Sequence, residues 1–283
     1  MELIDTHCHL TFEPLAGDVE NVIARSIAAG VTGWITIGTD MQHNQKAIEL
    51  ANRYENLYVA VGIHPHDAKD VTTQTITELK KLAQDLKVVA IGETGLDFHH
   101  NFSDRTSQQR IFVEQLKIAQ GLNLPVVIHC REAFDETIKT LEQFGTGLPS
   151  SRKGSLTGGM AYAIKKVVFH CFSGSVEQAK VVLARGWYIS LTGVVTFKNA
   201  NKTREMAKLV PVERLMIETD CPYMSPEPMR KQKVNEPALM IHTARCIAEA
   251  KNMDLDSFAE AVTATSRDFF SLPNKKPCSR QPD

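Results

Sequence analysis

The sequence has little of what would commit it early to a class. Aromatic residues fill only 7% of its 283 positions, and there are two tryptophans. No stretch approaches the roughly 18 consecutive apolar residues of a membrane span, so no membrane partner is expected. Six cysteines are scattered with no Cys-x-x-Cys, which excludes a disulfide framework and fits a reducing compartment. The opening Met1-Glu2-Leu3-Ile4-Asp5 has an early acid and no basic region, unlike a secretory signal. The expectation is an intracellular protein, nuclear or cytoplasmic. Net charge is missing too: 32 Lys and Arg against 33 Asp and Glu leave −1. That excludes a broad basic coat for gripping duplex DNA, though not a small local site. What remains is ordinary for a globular chain, at 43% hydrophobic and 23% charged, together with ten histidines.

Short apolar runs recur, at Leu3–Cys8, Thr32–Gly38, Tyr58–His64, Val88–Glu93, Pro125–Cys130, Val167–Cys171, Tyr188–Gly193 and Leu215–Asp220. They are rich in Val and Ile and nearly continuous in hydrophobicity, as suits strands of a parallel sheet covered by helices. Helical period follows each, at Val19–Ala29 (with Gly30 as the C-terminal stop), Asn44–Tyr54, Thr75–Leu86, Asp104–Gln120 (Asp104 as N-cap), Ala133–Phe144, Val176–Ala184, Lys202–Leu209 and Ala238–Ala250. Asp256–Phe270 adds one more helix. Eight strand–helix units read as an α/β fold, a (β/α)₈ TIM barrel with an extra C-terminal helix, in a single domain over residues 1–272. A doubly wound sheet competes, but no G-x-G-x-x-G follows the first run. Gly145–Ala163 is rich in Gly and Ser and has no period. It reads as a flexible insertion on the bottom face, away from the chemistry, and residues 273–283 read as a polar tail.

The histidines fall at the ends of these runs. His7 and His9 end the first, two apart and so on one side of the strand. Glu93 ends the fourth, His129 the fifth, His170 the sixth and Asp220 the eighth. The C-terminal strand ends of a barrel meet at one mouth, where active sites sit. Four imidazoles and two carboxylates in one small volume would repel or carry a desolvation cost. Divalent metal resolves this, and six ligands can hold two ions if one carboxylate bridges. His43 and His242 are read as structural. Cys8, Cys130, Cys171 and Cys221 each follow a proposed ligand by one residue and are expected to face the layer between barrel and helices.

At these residues the sequence resembles the TatD-like deoxyribonuclease family of the amidohydrolase superfamily. The matching stretches are Asp5-Thr6-His7-Cys8-His9, Gly62-Ile63-His64-Pro65-His66, Ile91 to Phe98, Pro125 to Arg131, His170-Cys171-Phe172-Ser173-Gly174, Ile217 to Tyr223 and Asn235-Glu236-Pro237. They cover nearly the whole barrel in family order. The resemblance implies a divalent-metal-dependent deoxyribonuclease, commonly a 3′→5′ exonuclease, with ligands at His7, His9, Glu93, His129, His170 and Asp220. The chain keeps the first His-x-His pair that some members lack, and departs from the family in its longer Gly145–Ala163 link.

On this reading Glu93 bridges two ions, His7, His9 and Asp220 complete one, and His129 and His170 complete the other. A metal-activated water is the nucleophile and Asp220 its general base. His64 is placed to contact phosphate or assist the leaving group, and Arg131 and Arg230 are candidate phosphate contacts. Lys231 and Lys233 lie in the same loop as Arg230. The ions are expected to be Mg, Zn or Mn: imidazole favours zinc, manganese or iron, while the family is usually described with magnesium or other divalent ions. The expected partner is DNA, single-stranded or at 3′ ends, with the chain a monomer and no obligate protein partner. The competing function is a metallohydrolase acting on a small phosphoester, lactone or amide. A non-catalytic scaffold is disfavoured, since every proposed ligand is present.

Overall fold

The computed structural model describes residues 1–145 and 163–273. Eight parallel strands stand in the order of the chain: β1 (Leu3–Cys8), β2 (Val31–Ile37), β3 (Leu57–Val61), β4 (Val88–Asp97), β5 (Val126–Arg131), β6 (Val167–Phe169), β7 (Tyr188–Leu191) and β8 (Leu215–Ile217). The helices between them are α1 (Val19–Ala28), α2 (Met41–Ala51), α3 (Thr73–Leu82), α4 (Arg105–Leu122), α5 (Phe134–Glu142), α6 (Val176–Ala184) and α7 (Asn201–Leu209), followed by α8 (Met240–Lys251) and α9 (Leu255–Phe270). The ladder runs from β1 through to β8. Just past the end of β8, Asp220 N–H donates to His7 C=O at 2.9 Å and His9 N–H to Cys221 C=O at 2.8 Å. These two bonds draw the first and last strands together, so the sheet is a nearly closed (β/α)₈ barrel. The bottom-face insertion and the polar tail proposed from the sequence lie outside the described residues, apart from Gly145, Ala163 and Pro273.

Alternation divides the strand residues between two cores. Ile4, Ile35, Ile37, Ala60, Ala90, Val127, Val168 and Met216 fill the barrel interior. Leu3, Trp34, Val126, Ile128, Val167, Phe169, Leu215 and Ile217 face the helix layer. The extra helix α9 explains its own presence: Phe269, Phe270 and Leu272 at its end join the interior cluster. The Phe269 ring lies 4.9 Å from that of Tyr188. Burying an aromatic of this kind stabilises by about 1.5–3 kcal/mol, and two such residues are covered here.

Helix starts follow local chemistry. The Asp104 carboxylate accepts from Ser107 N–H and Oγ, Asp40 caps α2 through His43 N–H, and Ser175 caps α6 through Gln178 N–H. Gly30 closes α1 at φ 89°, where any side chain would be strained. Several strands are shorter than their apolar runs. β3 stops at Val61, β6 at Phe169 and β8 at Ile217, so His64, His170 and Asp220 stand on the turns just beyond. Hydrophobicity continues past the last ladder bond because those turns are themselves covered.

Candidate metal centre

Two strand irregularities aim the central ligands. Between β4 and β5 the register steps from Ile91↔Val126 to Thr94↔Ile128, three residues against two. Ala90 points into the barrel, so strict alternation would send Glu93 outward. The extra residue at Gly92–Glu93 turns it inward instead, the usual effect of a bulge beside a site. The first strand does the same. Asp5↔Trp34 is followed by Cys8↔Thr36, and His7 turns into the mouth although Ile4 is the inward residue below it. His129, still on β5, needs no such device, being two residues from the inward Val127; His170 and Asp220 stand past the ends of β6 and β8, where the turns aim them, Asp220 at φ 54°.

All six residues converge. Glu93 Oε1 lies 2.7 Å from both His129 Nδ1 and His170 Nε2, and Glu93 Oε2 lies 3.4 Å from His7 Nε2. Asp220 Oδ1 is 3.3 Å from His9 Nε2 and 3.6 Å from His7 Nε2. His7 Nε2 and His9 Nε2 are themselves 3.3 Å apart, and the His7 and His170 rings stack at 3.9 Å. Ring nitrogens turned toward one another around two carboxylates are the donor set of a cation site, because lone pairs at this distance repel unless a positive centre lies between them. The residues therefore fit divalent metal. His64 joins the same cluster, its Nε2 3.5 Å from Glu93 Oε1, and with Glu93 and His129 it forms one of the threefold ligand groups.

The electrostatics follow from crowding. Burial acts to raise the Glu93 carboxyl, but His170, His64 and His129 hold it well below the usual carboxylate range. Burial would likewise raise Asp220, and His9 and His7 outweigh it. His7 is pushed down by burial and by the neighbouring His170. His64 is lowered to about 4, chiefly by burial. His129 and His170 move the other way: burial is overcome at His129 by Asp97 and Glu93, and at His170 by Glu93 and Glu218.

A layer of buried polar groups holds this cluster. Glu218 Oε1 accepts Cys171 N–H at 2.6 Å, and its Oε2 accepts Ser190 Oγ–H at 2.6 Å. Its Oε1 also lies 3.4 Å from His170 Nδ1. Asp5, fully buried, accepts from Thr219 N–H at 3.0 Å and Thr219 Oγ–H at 2.5 Å, one residue before Asp220. Three buried amides clasp the strand ends from outside. Asn44 of α2 bonds both backbone groups of Gly62, Gln115 of α4 bonds both of Ile63, and Gln108 of α4 bonds both of Asp97. Asn44 reaches Gly62 past Gly38, where a Cβ would lie 2.0 Å from Asn44 Oδ1. Glu218 could have been found from the sequence, two residues before Asp220 at the end of the same apolar run. The amides carry no such signal.

The cluster opens into a cleft of about 1650 Å³ whose wall includes His9, His64, Glu93, His129, Arg131 and Asp220. Several sequence expectations are placed differently. Arg230 is not among the lining residues; its guanidinium lies 3.9 Å over the Phe197 ring. His43 does line the cleft, held by Asp40 at 2.7 Å. Cys8 and Cys221 are buried in the helix-facing core, and Cys130 packs against it while also bordering the cleft; Cys171 borders the cleft. Cys171 comes after β6 has ended, at φ 42°, so strand alternation no longer sets its direction.

The TatD-related DNase family model matches residues 4–271. The chain is 37% identical over 270 residues to the uncharacterized metal-dependent hydrolase YabD of Bacillus subtilis, covering 95% of this chain and 99% of that one. It is 35% identical over 274 residues to the 3′-5′ ssDNA/RNA exonuclease TatD of Escherichia coli, covering 95% and 99%. Among solved structures, the TatD homologue YjjV of E. coli superposes with a TM-score of 0.84 at 29% identity, covering 96% of this chain and 98% of that one. With the ligand cluster at the strand ends, these matches make the chain a member of the TatD family of metal-dependent hydrolases.

Proposed function

We propose that the protein is a deoxyribonuclease that removes nucleotides from 3′ ends of single-stranded DNA, using two divalent ions. The observation that carries this reading is Glu93, whose Oε1 faces His129 and His170 while its Oε2 faces His7. His7, His9 and Asp220 would hold one ion, His129 and His170 the other, with Glu93 shared. Bound there, such ions supply Lewis-acid polarisation of a phosphate and bring the pKa of water toward neutrality. Asp220, kept ionised by its histidines, is the group that accepts the proton of the attacking water. His64, with its pKa at about 4, is neutral at physiological pH and serves as a hydrogen-bond partner of the phosphate.

The cleft itself argues for ions as the source of positive charge. Lys69 and Arg131 are the cationic side chains among its lining residues, against eight acidic ones. A polyanion enters such a cleft only when bound cations reverse its field. Tyr223 and Phe102 line it and are 51% and 59% exposed, offering faces on which unpaired bases stack. The names of the TatD relatives point to the same substrate class.

The test incubates the chain with Mg²⁺ or Mn²⁺ and labelled single-stranded DNA, beside Asp220→Asn and Glu93→Gln. Wild type should shorten the DNA stepwise from its 3′ end. Loss of the general base should slow this by about 10²–10⁴-fold. A wild type that leaves DNA intact while hydrolysing a lactone or amide would sink the nuclease reading.

A further inference from the structure

Beside the main cluster the cleft wall carries a second convergence of ligating groups. Asp97, the last residue of β4, is 1% exposed, and its two oxygens are used differently. Oδ1 accepts the N–H of His99 at 3.0 Å and of His100 at 2.9 Å, fixing the carboxylate over the turn after the strand. Oδ2 faces three imidazole nitrogens: His66 Nε2 at 2.8 Å, His100 Nδ1 at 3.1 Å and His129 Nε2 at 3.1 Å. Holding His129 in one tautomer takes only one of these contacts. His66 and His100 exceed that task, and they arrive from different segments, the turn after β3 and the turn after β4.

The three side chains offer one ligand atom each, all within 4.8 Å of one another. Asp97 forms the buried floor, while His66 and His100 line the cleft and are 27% and 36% exposed at the side chain. Two imidazoles and a carboxylate with one side open are a donor set for zinc and similar borderline ions. Bonds of about 2.0–2.2 Å put tetrahedral neighbours about 3.3–3.5 Å apart. The contacts here are a few tenths of an ångström shorter, and part-exposed rings can open by that much through small rotations.

We propose that His66, Asp97 and His100 bind a further divalent ion of the zinc type, separate from those around Glu93, with an open coordination position toward the cleft. Nothing in this depends on the nuclease assignment. The ion would add positive charge to a wall that is otherwise acidic.

Full-length protein is stripped with chelator, loaded with zinc chloride, desalted and counted for zinc per chain, as wild type, His66→Ala and His100→Ala. Each variant should hold one ion fewer than wild type. A zinc-loaded wild-type crystal should show an anomalous peak at about 2.0–2.2 Å from His66 Nε2, Asp97 Oδ2 and His100 Nδ1. That measurement needs no variant to fold. An absent peak, or an unchanged count in both variants, overturns the proposal. A peak there beside an inactive enzyme would refute the nuclease reading alone, and full activity without the peak would refute this one alone.

Discussion

Gln115 offers the sharpest test of how the helices hold the site. It is 1% exposed on α4. Its Oε1 accepts Ile63 N–H at 2.7 Å, and its Nε2 donates to Ile63 C=O at 3.0 Å and Thr94 Oγ at 2.6 Å. Ile63 lies beyond the end of β3, immediately before His64, and Thr94 immediately follows Glu93. One amide therefore stands in for the missing ladder on one strand and ties it to the next. Gln115→Met keeps the length and nearly the volume of the side chain, so no large cavity is made. It strips both backbone groups of Ile63 of their partner and leaves the Thr94 hydroxyl to turn elsewhere. Each buried polar group left unsatisfied costs about 1–3 kcal/mol, and two of them set an expected loss of about 2–4 kcal/mol once local relaxation is allowed. At about 2–4 °C per kcal/mol, the melting temperature should fall by roughly 5–15 °C. Urea unfolding followed by fluorescence reads this directly, because Trp34 and Trp187 are both buried. A Gln115→Met protein within about 0.5 kcal/mol of wild type would refute the clasp as a source of stability.

Three further outcomes follow from the site. Glu93→Gln should lower the number of divalent ions bound per chain, measured by elemental analysis, because a neutral amide cannot offer a negative oxygen to both histidine sets; an unchanged count would exclude Glu93 as a shared ligand. Metal binding should release protons. Glu93 with Asp97 or Glu218 pushes His129 and His170 up against burial, so both rings hold protons more tightly than a free imidazole and an incoming ion must displace them. Affinity should then rise with pH, and calorimetric heats should differ between buffers of unlike ionisation enthalpy; equal heats would contradict this. Asp5 tests the sign of a buried acid. Burial pushes it up to about 7 despite the bonds from Thr219, so between about pH 4 and 7 the folded chain keeps a proton that the unfolded chain has lost. Stability should fall as pH rises through that window, by roughly 4 kcal/mol at most for a shift of about 3 units. Asp5→Asn should flatten that part of the profile, and two parallel profiles would show that Asp5 does not titrate there.

How much of this was legible in the sequence depends on what each residue's position rests on. All six ligands are legible from one signal, their place at the end of an apolar run, and at His129 a count in twos from the inward Val127 agrees with it. At Glu93 and His7 the strand period disagrees with that signal. Counted in twos from Ala90 and Ile4 they would point outward. Only the extra residues in the β4–β5 and β1–β2 registers bring them in, and a bulge depends on the partner strand, which one strand's sequence does not contain. The same limit covers the clasp. Asn44, Gln108 and Gln115 look like ordinary polar positions on helices, and only where strands β3 and β4 leave the ladder does a buried amide become necessary. Arg230 shows the converse. A cation in the loop after the last strand reads as a candidate phosphate contact, and nothing in that loop announces that its guanidinium lies over the Phe197 ring. The ligands are thus written in the chain as a list, while their aim is written in the mismatches between strands. It follows that deleting the extra residue at Gly92, with every ligand left in place, should disperse the cluster more thoroughly than replacing any one of its histidines.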